Sequence, residues 1–120
     1  MKESSRATIA YIAGRVVNNS NSSSVYDYNG AGHISISGKI DNSRINIYNY
    51  DKGCHFSGNG NNSKYNIYNY GDGCHISLEI KGKKFQGYDY GSSSHFSGDV
   101  NNKSVSVYDY EHSKYFNYAI

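Results

Sequence analysis

Three histidines recur at one fixed spacing, and a set of this kind could bind a metal ion or transfer protons. His55, His75 and His95 are 20 residues apart, and His33 lies near the corresponding loop. Equivalent histidines on alternate strands of a sheet are about 9 to 10 Å apart, whereas zinc needs ligand atoms about 2 Å away. We therefore predict no metal site and no cofactor, and expect each histidine to pack against a tyrosine on the opposing strand. The expected tyrosine partners are Tyr68, Tyr88 and Tyr108.

Two cysteines share the same spacing, because Cys54 and Cys74 each precede one of these histidines. The C-x-x-C pairs that are typical of structural zinc sites do not occur in the chain. A disulfide requires Cα atoms within about 7 Å, which is reached only if successive repeats stack as coils. We expect two small, partly buried free thiols in a reducing compartment.

An acid or an amide occupies the centre of each of five Tyr-(Asp/Asn)-Tyr units. The central residues are Asp27, Asn49, Asn69, Asp89 and Asp109. Two of the five are amides, so this position cannot supply acid-base chemistry in every copy. Asp and Asn at the end of a strand commonly hydrogen-bond the following loop, and we predict this anchoring role. Because the chain also lacks a nucleophile elbow, a P-loop and a dinucleotide fingerprint, we predict that it is not an enzyme.

The same units define a tandem repeat of 20 residues. They end at Tyr28, Tyr50, Tyr70, Tyr90 and Tyr110, which gives spacings of 22, 20, 20 and 20 residues. Each repeat contains two stretches of about six residues in which polar and apolar side chains alternate, as in β-strands. The first repeat has two extra residues near positions 29–33, so Ser35 rather than His33 is the predicted equivalent of His55.

Antiparallel pairing of these strands brings apolar side chains opposite one another. Within the repeats, four residue pairs suited to positive φ predict two-residue turns. These pairs are Asp41-Asn42, Asn61-Asn62, Lys81-Gly82 and Asn101-Asn102. Folding about the last pair places Phe96 opposite Val107, and folding across the connection after Tyr50 places Tyr48 opposite Ser57. We predict an all-β fold of about five two-strand repeats in an antiparallel meander, either a barrel or a single-layer sheet.

A two-sided β-solenoid is an alternative, with each repeat forming one coil. In that fold the equivalent histidines would stack closely enough to share a metal ion. It would also stack Asp89 directly on Asp109, on the face otherwise occupied by apolar residues. This like-charge contact favours the meander.

The N-terminal segment has a different pattern from the repeats. Apolar residues at positions 9, 12, 13 and 16 have helical spacing, and Ser5 is a candidate N-cap. We predict a single domain, 1–120, with a helix over 1–17, a polar linker over 18–24 and β-repeats over 25–120. The helix either covers an open sheet or fills a barrel, in which inward glycines would leave room for it. These are Gly38, Gly58, Gly87 and Gly98.

The composition limits the classes of partner. Twelve basic and ten acidic residues give a net charge of +2, which is too small to predict nucleic-acid binding. No apolar stretch is long enough to span a membrane and no signal peptide is recognised, so we expect no membrane partner and a cytoplasmic location. Base stacking of the tyrosines with single-stranded nucleic acid fits the aromatic content but not the weak positive charge.

Fourteen tyrosines make the polar face the best candidate for a binding surface. Tyrosine offers a large aromatic face and a hydroxyl group, which suits recognition of sugars or protein surfaces. The candidate ligand-binding residues are Tyr48, Tyr50, His55, Tyr68, Tyr70, His75, Tyr88, Tyr90, His95, Tyr108 and Tyr110. We predict a non-catalytic binding module for a carbohydrate or similarly polar ligand. The alternative is a structural or protein-interaction domain that self-associates into a homo-oligomer.

Overall fold

Ten antiparallel strands form a closed barrel in the computed structural model, which describes all 120 residues. One helix, α1 (Glu3–Asn18), precedes them. The strands are β1 (Ser24–Asp27), β2 (Gly32–Ile40), β3 (Arg44–Asn49), β4 (Cys54–Asn61), β5 (Lys64–Asn69), β6 (Cys74–Lys81), β7 (Lys84–Asp89), β8 (Ser94–Asn101), β9 (Ser104–Asp109) and β10 (Lys114–Ala119). Consecutive strands pair, and β1 pairs with β10 to close the barrel. The predicted all-β meander is therefore confirmed in its barrel form, and the solenoid alternative is wrong.

The strand register differs by two residues from the predicted one. Gly98, not Phe96, lies opposite Val107, and the β8–β9 turn is formed by residues 102–103. In the β3–β4 connection a four-residue loop, 50–53, places Tyr48 opposite His55 rather than Ser57. A shift of two residues leaves every side chain on its face, so the alternation of apolar and polar residues cannot detect it.

Helix α1 lies inside the barrel and supplies a large part of its core. Every residue from 5 to 15 is buried, and the core includes Ala7, Ile9, Ala10, Ile12 and Ala13. These side chains meet inward-facing isoleucines, valines and phenylalanines of the strands, which explains why the helix is buried on all sides. Of the two predicted positions for the helix, the barrel interior is the one observed. The helix is not long and apolar enough to cross a membrane, and the chain has no other helix.

The N-cap expected at Ser5 is wrong. The cap position is three residues earlier, at Lys2, which makes no side-chain hydrogen bond there, and the helix begins at Glu3. Ser5 lies within the first turn, where its hydroxyl faces the polar end of the barrel, as described below. The helix ends at Asn18 and is followed by Asn19 in the left-handed conformation.

The inward glycines make room for neighbouring strands rather than for the helix. A Cβ atom on Gly58 would lie 1.9 Å from the backbone oxygen of Asn66. On Gly98 it would lie 2.4 Å from the ring of Phe85, which covers the glycine across the β7–β8 pair. The explanation predicted for these glycines is therefore wrong, because the space that they leave is occupied by backbone and phenylalanine rings.

Candidate ligand-binding surface

Five aromatic clusters of the same construction lie on the outside of the barrel. Each contains a half-buried tyrosine, an exposed tyrosine two residues later and a third ring on the next strand. The clusters are Tyr26–Tyr28–His33, Tyr48–Tyr50–His55, Tyr68–Tyr70–His75, Tyr88–Tyr90–His95 and Tyr108–Tyr110–Tyr115. In all of them, the central ring meets its two neighbours edge to face at centroid distances of 4.7 to 4.9 Å. The eleven candidate ligand-binding residues all belong to these clusters.

The strand geometry produces this arrangement locally. Tyr48 lies in β3 and Tyr50 directly follows the last residue of that strand, and their spacing of two residues brings the two rings together. His55 lies directly opposite Tyr48 across the β3–β4 pair. Edge-to-face contact is a preferred geometry for aromatic rings, so the cluster holds its own rings in fixed orientations.

The predicted tyrosine partners of the histidines lie on the wrong neighbouring strand. The predicted register pairs His55, His75 and His95 with Tyr68, Tyr88 and Tyr108 on the following strand. In the structure they pack against the preceding strand instead, on Tyr48, Tyr68 and Tyr88. The cause is the register difference, which places Ser57 rather than His55 opposite Tyr68.

His33 also occupies a different place from the one predicted. It packs on Tyr26 with a centroid distance of 4.7 Å, as His55 packs on Tyr48. The two extra residues lie after His33, in β2. On the side of β2 that pairs with β3, Ser35 is the equivalent of His55, whereas on the side that pairs with β1 the equivalent is His33. The seven-residue spacing from Tyr26 to His33 equals that from Tyr48 to His55 and was the signal that the sequence analysis missed. The same spacing identifies Tyr115 in the fifth cluster.

Two grooves run beside the clusters, and we name each after one lining residue. The Glu79 groove has a volume of about 610 Å³ and is lined by Ser77, Glu79, Gln86, Tyr88, His95 and Ser97, among others. The Arg44 groove has a volume of about 500 Å³ and is lined by Arg44, Asn46, Ser57, Tyr68, Tyr70 and His75, among others. Both combine aromatic rings with hydroxyl, amide and imidazole groups, which can hydrogen-bond a polar ligand.

The central residues of the Tyr-(Asp/Asn)-Tyr units form a buried polar ring at the opening of the barrel. The ring consists of Asp27, Asn49, Asn69, Asp89 and Asp109. Each accepts a hydrogen bond from the backbone N–H two residues later, at 2.7 to 3.0 Å. The predicted loop-anchoring role is confirmed in all five repeats.

Helix α1 contacts three members of the polar ring, and each of the three matches the helix side chain that it meets. The amide nitrogen of Asn49 donates to Thr8 Oγ1 at 3.0 Å, and that of Asn69 donates to Ser5 Oγ at 3.3 Å. Asp109 instead receives the guanidinium of Arg6 at 2.9 Å. Amides therefore face hydroxyls and an acid faces the cation. The repeat pattern alone could not predict this, because it contains no information on how the helix is rotated in the barrel.

Asp109 is the most strongly connected member of the polar ring. Its Oδ2 lies 2.9 Å from Arg6, 2.8 Å from His112 Nδ1 and 3.2 Å from the amino group of Met1. Burial alone would raise the pKa of Asp109, but hydrogen bonds from His112, Met1 and Arg6 outweigh it and hold the pKa below its ordinary value of 3.8. The carboxylate form therefore stabilises the fold.

Replacing this carboxylate should lower stability in a pH-dependent way. We expect Asp109→Asn to reduce the free energy of unfolding by about 3 kcal/mol at pH 7, because Arg6 loses its buried partner. Since folding lowers the pKa of Asp109, its contribution is present above about pH 4 and is lost as the pH falls through the folded-state value. Urea denaturation at pH 7 and pH 3 should therefore show a much smaller difference between variant and wild type at pH 3.

The exposed Asp99→Asn change is the matched control and should alter stability by less than about 0.5 kcal/mol at pH 7. An equal loss for Asp109→Asn at both pH values would contradict the role assigned to its carboxylate.

Asp109, Glu111 and His112 form a group of metal-ligand types that the sequence analysis did not identify. Their candidate ligand atoms lie within 4.8 Å of one another. Two cations already contact these carboxylates, because the amino group of Met1 contacts both Asp109 and Glu111 and Arg6 contacts Asp109. The group is therefore an ion-pair network and carries no metal assignment.

Cys54 and Cys74 are free and half-buried, in β4 and β6. The prediction of two partly buried free thiols is confirmed on these points. Burial raises the pKa of both thiols above the ordinary value of 9.0. A raised pKa lowers the thiolate fraction at neutral pH, so neither cysteine is prepared for nucleophilic chemistry.

Comparison of the chain with protein-family models, curated protein sequences and solved structures finds no match. Function is therefore inferred from the surface residues of the barrel. The repeated feature of that surface is a set of five preorganised aromatic clusters beside polar grooves.

Proposed function

We propose that the barrel is a non-catalytic binding module whose aromatic clusters bind carbohydrate. The observation that carries this proposal is the exposure of the outermost tyrosine at the same place in all five repeats. The exposed fractions are 66% for Tyr28, 60% for Tyr50, 59% for Tyr70, 61% for Tyr90 and 55% for Tyr110. Large aromatic side chains are costly to expose to water, and their repetition at one position favours a role in binding.

Sugars match the chemistry of this surface. One face of many hexoses presents C–H groups that can stack on an aromatic ring, while the hydroxyls need hydrogen-bond partners. The exposed tyrosine supplies the ring. Serines and amides beside it, such as Ser57 and Asn66 in the Arg44 groove, supply donors and acceptors.

Repetition compensates for the weak binding expected of each shallow groove. A saccharide chain that contacts two or more clusters gains affinity through the high effective concentration of the second site. We therefore expect oligosaccharides to bind more tightly than the corresponding monosaccharides.

A saccharide array combined with sedimentation velocity at several protein concentrations tests this function. Saturable binding of one or more oligosaccharides by a monomeric protein is the expected result. Oligomers that grow with protein concentration, together with no saccharide binding, would overturn it and favour the self-associating interaction domain, for which exposed tyrosines are also suited.

A further inference from the structure

Three strands begin with a basic residue at the same position of the repeat, and only one of the three faces a neutral residue on the next strand. Arg44, Lys64 and Lys84 begin β3, β5 and β7. The residues directly opposite them on the next strand are Asn59, Glu79 and Asp99. Arg44 therefore faces a neutral amide, whereas both lysines face a carboxylate.

The guanidinium of Arg44 also lacks an ion pair. The nearby Asp41 carboxylate instead accepts a hydrogen bond from the Arg44 backbone N–H at 2.9 Å. Lys84 forms no salt bridge either, but it faces Asp99 across the strand pair. Lys64 lies 3.7 Å from Glu79, whose carboxylate is shared with Lys81 at 3.8 Å. The guanidinium of Arg44 takes part in none of the salt bridges of the structure. It is thus a free cation at the edge of a groove.

The remaining lining of the Arg44 groove is neutral or aromatic. Its polar residues are Asn46, Ser57, Asn59, Asn66, Tyr68, Tyr70 and His75, with no carboxylate among the lining residues. The Glu79 groove differs, because a paired cation and anion, Lys64 and Glu79, line it together and Glu79 also accepts a hydrogen bond from Gln86 at 3.3 Å. The two grooves therefore share their aromatic rings but differ in charge.

We propose that the Arg44 groove binds a sugar that carries a carboxylate, a hexuronate unit, and that the Glu79 groove binds neutral sugar units. This rests on the carbohydrate binding proposed above. A guanidinium can bind a carboxylate through two parallel hydrogen bonds, while Tyr70 stacks on the sugar ring. In the Glu79 groove the lining cation, Lys64, is already paired with Glu79 at 3.7 Å, so no free cation is left for a carboxylate of the ligand. Sugar units of different charge along one chain would then bind at defined places on the barrel.

Titration calorimetry with a hexuronate tetrasaccharide and its carboxyl-reduced neutral counterpart tests this assignment. At low ionic strength we expect the wild-type protein to bind the acidic form about fivefold more tightly, as an exposed charge pair allows. The variant Arg44→Gln should lose this preference and retain binding of the neutral form. Arg44→Lys should retain part of the preference, because it keeps the charge but not the two parallel hydrogen bonds.

The control is Lys103→Gln, which removes the same charge in the β8–β9 turn, outside both grooves. It should leave the preference for the acidic form unchanged. An equal loss in Lys103→Gln would show that net charge rather than the groove is responsible and would overturn the inference. Equal wild-type affinity for both tetrasaccharides would overturn it while leaving the proposed function intact. Binding of neither form, in a protein that binds no sugar on the array, would overturn both.

Discussion

A chain that lacks residues 1–18 is expected to lose the folded barrel. Helix α1 and the residue before its cap supply seven of the 25 buried apolar core residues, including Ile9, Tyr11 and Ile12. Without them the inward-facing isoleucines and phenylalanines would line a water-filled lumen, and Asn49, Asn69 and Asp109 would lose their helix partners. The free energy lost by leaving both the helix and the inner faces of the strands unburied exceeds the net stability of about 5 to 15 kcal/mol that is usual for a domain.

Circular dichroism and a two-dimensional amide NMR spectrum measure this loss. We expect the shortened chain to show no cooperative melting and little amide dispersion. The single substitution Ile12→Ala provides a graded comparison and should cost about 3 kcal/mol in the full chain, because it leaves a cavity at a fully buried position. Cooperative melting of the shortened chain at the wild-type temperature would contradict the role assigned to the helix.

The second large effect is expected at an inward glycine. In Gly87→Val the added Cβ would lie 1.9 Å from the backbone oxygen of Ser77 and 2.5 Å from the ring of Phe96. Neither the β6–β7 backbone pairing nor the buried phenylalanine can move without breaking other contacts, so we expect a loss of about 3 kcal/mol or more.

Gln86→Val is the matched control for this change. It introduces the same side chain one residue earlier on β7, on the exposed outer face. Its effect on the urea midpoint should be within about 0.5 kcal/mol. Equal midpoints for the two variants would show that the glycine is not required by close strand packing.

The repeat and its face pattern made much of this fold predictable. Alternating residues such as Ile45, Ile47 and Val107 identified the inner face, and the Tyr-(Asp/Asn)-Tyr units located the loop anchors. These features depend only on local spacing, because neighbouring residues of a strand point to opposite faces. The same spacing predicts all eleven candidate tyrosines and histidines on the polar face, which is the outside of the barrel, but not how their rings group into clusters.

Features that depend on register or on the helix could not be predicted in the same way. A shift of two residues preserves the faces but changes every cross-strand partner, so the Tyr48–His55 contact and the Lys64–Glu79 pair appear only in the observed register. The distinct charge of the Arg44 groove was missed for this reason. The match between Thr8 and Asn49 depends in addition on the rotation of α1, which no repeat specifies.

The central claim is that the outer tyrosines form a binding surface and are not needed to stabilise the barrel. The most direct measurement compares the melting temperature and oligosaccharide affinity of the double variant Tyr70→Ser, Tyr90→Ser with those of the wild type. Both rings are about 60% exposed, so we expect the melting temperature to change by less than about 3 °C while affinity falls about tenfold or more. The half-buried pair Tyr68→Ser, Tyr88→Ser should lower the melting temperature by a larger amount, because each central ring supports two neighbours. Unchanged affinity together with a large drop in the melting temperature of the Tyr70, Tyr90 variant would contradict the claim and identify these rings as structural packing.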